Sequence, residues 1–324
     1  MTDKVRVRAL RPTHLVGLRA LDARPTCMEI TAVTWPRLLA GDSRLPFWSL
    51  LSHSMTHPPG YRRMWVHVAD DGPDGLLVAR VRCGGLVWDV RHLWVDAARE
   101  TVARDLLLWV CDEAAARGAR RVFLETGPDE PALAVARSAG FQHYTWALLY
   151  GLRDGPGVSP PAQPGRPRQR GDDHLLFQLY KAAVPAPVRA AEAMTLEEWA
   201  ALRKDPPRWG AGLLAGWQQF VWDDGVMALA WLELGSAAKS WHAEWLVRPG
   251  YEALGEQALA FALEQAKGAP LYATCREYQQ PLASALERAG FALVARRAVF
   301  ARQLAARVRE PRLVAARARS PVGG

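Results

Sequence analysis

The sequence predicts a mixed α/β (α+β) fold that occurs twice in one chain. Two observations carry this prediction: a long internal repeat, and the same succession of strand-like and helix-like segments in each copy. Because solenoid repeats have periods of about 20–50 residues, a longer period indicates a duplicated domain. A Gly–Pro–Phe spacing recurs after 150 residues, as Gly118, Pro131 and Phe141 and again as Gly268, Pro281 and Phe291.

In the first copy, alternating apolar residues mark strands and apolar residues at a period of 3.6 mark helices. Gly118 ends the third predicted helix, and Pro131 can begin the fourth. The predicted strands are Val5–Ala9, Tyr61–Ala69, Gly75–Val81, Trp88–Val95, Val122–Leu124 and Phe141–Tyr150. The predicted helices are Thr13–Ala23, Thr34–Ala40, Arg99–Arg117 and Asp129–Ser138.

The second copy repeats this order. A capping box at Thr195–Glu198 predicts a helix start before Trp199 and Leu202. Further helices are predicted over Glu252–Ala266 and Pro281–Arg288. The predicted strands are Leu175–Tyr180, Trp217–Trp222, Val226–Leu234, Trp241–Val247, Leu271–Thr274 and Phe291–Phe300. The order β-α-α-β-β-β-α-β-α-β therefore occurs twice.

The domain organisation follows from composition. A stretch rich in proline and glycine, from Asp154 to Asp173, predicts an extended linker. We therefore expect an N-terminal domain over residues 1–152, a linker over 153–172 and a C-terminal domain over 173–304. Residues 305–324 form a basic tail that is predicted to be disordered. The halves should share one strand order, and proteolysis in the linker should leave two folded fragments unless a large apolar interface joins them.

The chain of 324 residues has a net charge of +8 and a pI near 9.6, which raises the question of nucleic-acid binding. The basic residues are scattered, apart from dense stretches at Arg166–Arg170 and Arg307–Arg319. Both stretches lack helical patterning and are more typical of solvated segments than of a groove-binding surface. A moderately basic surface also suits a polyanionic small molecule such as a coenzyme.

The sequence contains no pattern typical of a disulfide framework, a metal site or a membrane span. The four cysteines form no CxxC pair, and the histidines have no metal-ligand spacing, so we expect no disulfide framework and no metal. No apolar run approaches the roughly 18 residues that a membrane span needs, and the N-terminus has no signal-like apolar region. The expected location is the cytoplasm. The cysteines are Cys27, Cys83, Cys111 and Cys275.

The long helix after the fourth strand, and the Ala-Gly-Phe turn before the last, resemble the GCN5-related N-acetyltransferase superfamily in both halves. The resemblance implies two tandem acyl-CoA N-acyltransferase-like domains, each a mixed, mostly antiparallel sheet flanked by helices, with acetyl-CoA as co-substrate. In that family the loop after the fourth strand has the pattern Arg/Gln-x-x-Gly-x-Gly/Ala. Its backbone N–H groups and the following helix N-terminus bind the coenzyme A pyrophosphate.

Carried over to this chain, the resemblance implies a coenzyme-binding loop in each half. Each loop has a small residue, Ala103 or Gly255, eight positions after the strand-ending valine. Arginines flank the first loop, whereas Glu252 and Glu256 in the second would oppose pyrophosphate, so the charges favour the first half. The implied coenzyme-binding residues are Trp94, Val95, Arg99, Thr101, Val102, Ala103 and Arg104 in the first half, and Val247, Ala253, Leu254 and Gly255 in the second.

Acyl transfer to an amine needs a base, donors for the oxyanion and often an acid for the leaving thiolate. His92 and Glu244 each lie three residues before the strand-ending valine and are the predicted bases, His92 first; each could instead be a partnered structural residue. In the resembled family the acid is often a tyrosine, at positions that here hold Ala136 and Leu286. Both halves lack it.

The predicted function is transfer of an acyl group, in the first place acetyl from acetyl-CoA, to a primary amine of a small molecule or peptide. Trp88 and Trp94, or Trp241 and Trp245, could line an acceptor cleft or could be core residues. The alternative is a non-catalytic scaffold or acyl-CoA sensor of the same fold. Calorimetric titration with acetyl-CoA separates the coenzyme-binding hypotheses from a plain scaffold.

Overall fold

The computed structural model describes residues 7–22, 27–31, 62–70, 72–96, 99–152, 164–204, 217–237 and 240–305. Within these ranges, strands from both halves join one mixed sheet, and helices pack on its two faces. The predicted mixed α/β fold is confirmed. No helix in these ranges combines the length and apolar character needed to cross a membrane.

The elements of the first half follow the predicted order, with one added strand, β2. The predicted helix Thr34–Ala40 lies outside the described residues. The first half contains β1 (Val7–Ala9), α1 (Leu15–Asp22), β2 (Cys27–Thr31), β3 (Arg62–Ala69), β4 (Gly72–Arg82), β5 (Val87–Asp96), α2 (Glu100–Ala116), β6 (Arg121–Thr126), α3 (Glu130–Ser138) and β7 (Gln142–Leu152).

The second half has the predicted order of long strands, but in the described residues three helices, and not the predicted two, follow its short first strand. Its helix after the fourth strand, β11, has the predicted bounds, Glu252–Ala266. The second half contains β8 (Arg166–Pro167), α4 (Asp173–Ala183), α5 (Ala186–Glu192), α6 (Leu196–Lys204), β9 (Trp217–Asp223), β10 (Ala228–Ala237), β11 (Ser240–Val247), α7 (Glu252–Ala266), β12 (Leu271–Arg276), α8 (Gln280–Arg288) and β13 (Ala292–Gln303).

The strand predicted over Leu175–Tyr180 is wrong, because this segment lies inside helix α4. Leu176, Leu179 and Tyr180 are buried together, which is the spacing of one helix face and not of alternating strand residues. The first strand of the second half is β8, at Arg166–Pro167, which pairs with β9.

Part of the predicted linker is folded around Arg166. Its guanidinium donates to both carboxylate oxygens of Asp172, at 2.8 and 2.9 Å, and its Nε donates to Asp223 Oδ2 at 2.6 Å. Such bidentate contacts fix a guanidinium in one orientation. Residues 153–163 lie outside the described ranges, and the domain boundaries given above stay a prediction.

The sheet has the order β1-β3-β4-β5-β6-β13-β7-β12-β11-β10-β9-β8, and β2 pairs with β5 beside this path. The first five strands match the last five in mirrored order, so the two halves share one strand order. The two central strands are exchanged: β13 pairs with β6 of the first half, and β7 pairs with β12 of the second. Strands β7 and β13 also pair with each other.

Because of this exchange, side chains of each central strand are buried in the core of the opposite half. Ala298 and Phe300 of β13 are buried in the core formed by α2, α3 and the first-half strands. Tyr150 and Leu152 of β7 are buried in the corresponding second-half core. Because a fully buried phenylalanine contributes about 1.5–3 kcal/mol through apolar burial, each half depends on the other for its stability.

The repeated Ala-Gly-Phe segments are helix C-terminal turns with the same geometry. Gly140 and Gly290 have φ of 78° and 88°, a conformation that glycine adopts without a steric cost. The N–H group of the following phenylalanine returns to a helix carbonyl, from Phe141 to Ala136 at 3.1 Å and from Phe291 to Leu286 at 3.0 Å. This is the Schellman pattern.

A buried ion pair joins the halves beside the sheet. The predicted capping box is confirmed, since Glu198 N donates to Thr195 Oγ1 at 3.2 Å and Thr195 N donates to Glu198 Oε2 at 3.3 Å. The same carboxylate accepts hydrogen bonds from Arg121 of β6 and from Arg120. Burial alone would raise the pKa of Glu198. The hydrogen bonds and charges of these arginines outweigh burial, so the pKa of Glu198 is lowered.

Candidate functional site

In each half, two parallel strands pair briefly and then separate. Strands β5 and β6 pair from Val87 to Val90, and the last pair is Val90 with Leu124. Strands β11 and β12 pair from Trp241 to Glu244, and the last pair is Glu244 with Thr274. Beyond these points, one edge of β5 is no longer paired with β6, and one edge of β11 is no longer paired with β12. Ligands of α/β sheets often bind where the carboxyl ends of neighbouring strands open a crevice.

In the first half, the chain itself covers this edge. Strand β2 pairs antiparallel with β5, from Cys27 opposite Asp96 to Thr31 opposite His92, and it also lies against β6. The edge of β5 that faces the gap is therefore engaged by the backbone of β2. A strand edge that already has a partner offers few free donors and acceptors to a ligand.

In the second half, no described strand pairs with β11 on this side beyond Glu244. The side chain of Gln279, from the loop after β12, crosses the gap instead: its Nε2 donates to the Trp245 carbonyl at 2.9 Å, and its Oε1 accepts from Arg276 N at 2.7 Å. A cavity of about 240 Å³ lies here, lined by Ala183, Val247, Arg248, Pro249, Glu252, Gly255, Tyr278, Gln279, Pro281, Leu282 and Ala285.

The loops that lead into α2 and α7 have the same turn. Arg99 N donates to Asp96 O at 2.8 Å, and Tyr251 N donates to Arg248 O at 3.1 Å. One turn later, Val102 N donates to Arg99 O at 3.0 Å, as Leu254 N does to Tyr251 O at 2.9 Å. These matched bonds place the predicted loops at equivalent points of the two halves.

The positive charge of Arg99, which favoured the first loop as the pyrophosphate site, is paired with a carboxylate of the protein itself. Arg99 Nη1 donates to Asp74 Oδ2 at 2.7 Å, and the other oxygen of the buried Asp74 lies 2.6 Å from His67 Nδ1. Burial would raise the pKa of Asp74, but the hydrogen bonds and charges of His67 and Arg99 outweigh it, so the pKa is lowered. Arg104 lies exposed on α2, without this contact to the loop.

The second loop has a carboxylate, Glu252, one residue after the position that matches Arg99. Glu252 Oε1 accepts a hydrogen bond from Gly250 N at 2.9 Å, and this bond lowers the pKa of Glu252. Arg248 also lines the cavity, and its Nε donates to the Ala228 carbonyl at 3.1 Å. Glu256, one turn along α7, forms an exposed ion pair with Arg288 and does not line the cavity.

The implied coenzyme-binding residues separate into core and cavity positions. In the first half, Val95, Val102 and Ala103 are core residues, and Trp94 packs against the cluster around Leu18. Thr101 is exposed. In the second half, Val247 and Gly255 line the cavity, Leu254 packs partly against the core, and Ala253 is exposed. The structure brings Val247 and Gly255 together: a Cβ on Gly255 would lie 3.4 Å from Val247 Cγ2.

His92 lies on the covered edge of the first half. It pairs with Val78 of β4 and with Thr31 of β2, next to a β-bulge at Arg91. Bulges of this kind re-aim side chains and are frequent beside active sites. Strand β11 has no such irregularity against β10.

Glu244 occupies the last paired position before the gap of the second half. It lies opposite Glu233 of β10, and directly opposed residues of neighbouring strands point to the same face of a sheet. Glu233 is buried and accepts a hydrogen bond from Gln219 at 2.7 Å. Within the part of the chain that the structure describes, no donor hydrogen-bonds to the Glu244 carboxylate.

The positions where the resembled family often has an acid are core positions. Ala136 and Leu286 are fully buried and supply the carbonyls of the two Schellman turns. The hydroxyl-bearing residue at the second-half cavity is Tyr278, in the loop after β12. Three residues that line the cavity were not predicted from the sequence: Arg248, Tyr278 and Gln279. Their position just after two neighbouring parallel strands is the signal that could have identified them.

Comparison with known proteins agrees with this architecture. No family model and no curated protein matches the sequence. A GCN5-related N-acetyltransferase from Sphaerobacter thermophilus is 15% identical, with 92% of this chain and 95% of that chain covered and a TM-score of 0.53. A tandem GNAT protein from the clavulanic acid biosynthesis pathway is 14% identical, with 92% and 98% covered and a TM-score of 0.51. This chain has the tandem fold of the GCN5-related N-acetyltransferases. The resemblance stated from the sequence is thereby confirmed at the level of the fold.

Proposed function

We propose that this protein is an acyl-CoA-dependent N-acyltransferase that transfers an acetyl group from acetyl-CoA to a primary amine of a small molecule or peptide. The observation that carries the proposal is the cavity at the point where β11 and β12 separate. It lies between the part of the β11 edge that no described strand pairs with, the start of α7 and the loop after β12. We assign the donor site to the second half, because strand β2 covers the equivalent edge of the first.

The residues at the cavity suit parts of such a donor. Val247 and Gly255 provide an apolar, closely packed wall at the start of α7. Such a wall suits the pantetheine arm of coenzyme A, which is thin and flexible. Main-chain groups of β11 beyond Glu244 can hydrogen-bond to amides of that arm if Gln279 moves away from the Trp245 carbonyl. Arg248 attracts phosphate, whereas Glu252 opposes it.

In the reaction, the amine nitrogen attacks the thioester carbonyl, the C–S bond breaks, and coenzyme A leaves as a thiolate that takes up a proton. The amine must first lose a proton, and we propose Glu244 as the base, with His92 as the alternative in the first half. A thiol with a pKa of about 8.5 is a tolerable leaving group, so a transfer without a tyrosine acid is slower and not abolished.

The test is calorimetric titration of the full chain with acetyl-CoA. Ala183 lines the cavity from the end of α4 and is only partly buried, whereas its neighbour Ala182 is exposed. Ala183→Trp should fill the cavity and weaken acetyl-CoA binding at least tenfold, about 1.4 kcal/mol. The matched control Ala182→Trp should leave binding unchanged.

A third variant tests the competing site. Arg104→Gln removes the exposed cation from the first-half helix. Loss of acetyl-CoA binding in Arg104→Gln, with full binding in Ala183→Trp, would move the donor site to the first half. Absence of binding in the unmodified protein would contradict the proposal as a whole.

A second candidate function is a non-catalytic scaffold or acyl-CoA sensor. The observation that favours it is the burial of Ala136 and Leu286 where the resembled family often has an acid. A sensor would bind acetyl-CoA with the same dependence on Ala183 but would release no thiol with any amine. Measuring thiol release across a panel of primary amines distinguishes the two functions.

A further inference from the structure

The start of helix α7 carries a feature that bears on donor selectivity. Glu252, the first residue of the helix, lines the cavity together with Arg248. The Glu252 carboxylate accepts a hydrogen bond from the Gly250 N–H at 2.9 Å. Main-chain N–H groups at the start of a helix are where an anionic ligand group would bind. Gly250 lies two residues before the helix, so one N–H donor of the loop beside the helix start is bound to a carboxylate of the chain itself.

An incoming phosphate would meet two obstacles at this point. It would have to replace a tethered carboxylate at the Gly250 N–H, and it would lie beside a negative charge that repels it. The pantetheine arm and the acyl group carry no charge, so neither obstacle affects them. Glu252 thus acts against one chemical part of a coenzyme A thioester and leaves the other part unaffected.

We propose that Glu252 sets the donor selectivity of this cavity, so that the site recognises a thioester through its pantetheine arm and gains little from the diphosphate. The inference rests on the proposed function and names its donor class: pantetheine thioesters, with coenzyme A as one carrier among them. An acidic residue in the first turn also stabilises a helix in general. What separates Glu252 from that general role is its place in the cavity wall.

The chain offers a matched control. Glu256 lies on the same helix one turn later, has the same charge, pairs with Arg288 and does not line the cavity. Glu252→Gln removes the charge and keeps an oxygen that can accept the Gly250 N–H. Glu252→Ala removes both the charge and the acceptor. Since Glu252 is exposed, neither change should disturb the core, and thermal unfolding checks this.

The experiment is calorimetric titration of the full chain and these variants with acetyl-CoA and with S-acetylpantetheine. The unmodified protein should bind the two thioesters with affinities within about threefold of each other. Glu252→Gln should tighten acetyl-CoA binding about tenfold, and Glu252→Ala at least as much, with S-acetylpantetheine affinity unchanged within about twofold. Glu256→Gln should change neither affinity by more than about twofold.

Two results overturn the inference alone. One is equal tightening by Glu252→Gln and Glu256→Gln, which would show a general effect of helix charge. The other is an acetyl-CoA affinity that is unchanged in Glu252→Ala. If neither thioester binds the unmodified protein or any variant, the proposed function fails and this inference fails with it.

Discussion

The two halves share a strand order, a helix-starting turn and a Schellman turn, yet their clefts differ in where the backbone hydrogen bonds go. In the first half, β2 pairs with the edge of β5, and Arg99 is bound to Asp74. In the second, the edge of β11 is crossed by the Gln279 side chain, and a cavity lies beside it. A duplicated fold can thus keep its architecture while one copy covers the strand edge that a ligand would use.

The clefts differ, but the cores are mutually dependent. Phe300 comes from the second half of the sequence and is buried in the first-half core, and Tyr150 makes the reverse contribution. A mutation in either strand therefore acts first on the opposite half. This exchange also bears on the expectation that cleavage of the linker leaves two separately folded fragments. With β7 and β13 exchanged, we expect the fragments to stay associated.

The largest expected effect tests this dependence. Phe300→Ala should lower the free energy of unfolding by about 3–5 kcal/mol, because it removes a buried aromatic ring and leaves a cavity. Hydrogen exchange should show that the loss of protection begins in α2 and α3. Tyr150→Ala is the mirror experiment, and its loss of protection should begin in α7 and α8. If Phe300→Ala first exposed α7 instead, the exchange of core side chains between halves would be contradicted.

The next prediction concerns the two candidate bases. Glu244→Gln keeps the shape of the side chain and removes its ability to take a proton, so kcat should fall about 100-fold, with acetyl-CoA affinity unchanged. His92→Gln should leave kcat within about twofold, since His92 lies on the edge that β2 covers. Steady-state kinetics with an amine acceptor and calorimetry with acetyl-CoA measure the two quantities. A larger fall in His92→Gln would assign the reaction to the first half.

Local patterns predicted most of the elements, because each depends on residues close together in the sequence. The capping box at Thr195 and the bounds of Glu252–Ala266 are confirmed for this reason. The apolar run Leu175–Tyr180 was assigned to a strand because a short run of this kind does not distinguish the two periods. Its helical form depends on packing against sheet residues that are distant in sequence, and the residues around Leu175–Tyr180 carry no information about that packing.

The candidate site depends on contacts between distant segments, and these were beyond a local analysis. The pairing of β2 with β5 joins residues that carry no shared sequence signal. The exchange of β7 and β13 likewise depends on which partner strand is available, and apolar periodicity is the same for either partner. Local sequence could not show that Arg99 is paired, because Asp74 is 25 residues away in sequence although the two side chains are 2.7 Å apart in space.

The smallest expected effect tests whether β2 is what closes the first cleft. Ile30→Pro removes one N–H group from β2 and interrupts its pairing opposite Leu93, which should cost about 1 kcal/mol. Hydrogen exchange should become faster at the β5 amides that face β2 around Leu93 and stay unchanged in β11. Acetyl-CoA should still bind once per chain, because Arg99 remains held by Asp74. Two molecules per chain in this variant, against one in the unmodified protein, would show that the first half retains a donor site that β2 alone keeps covered.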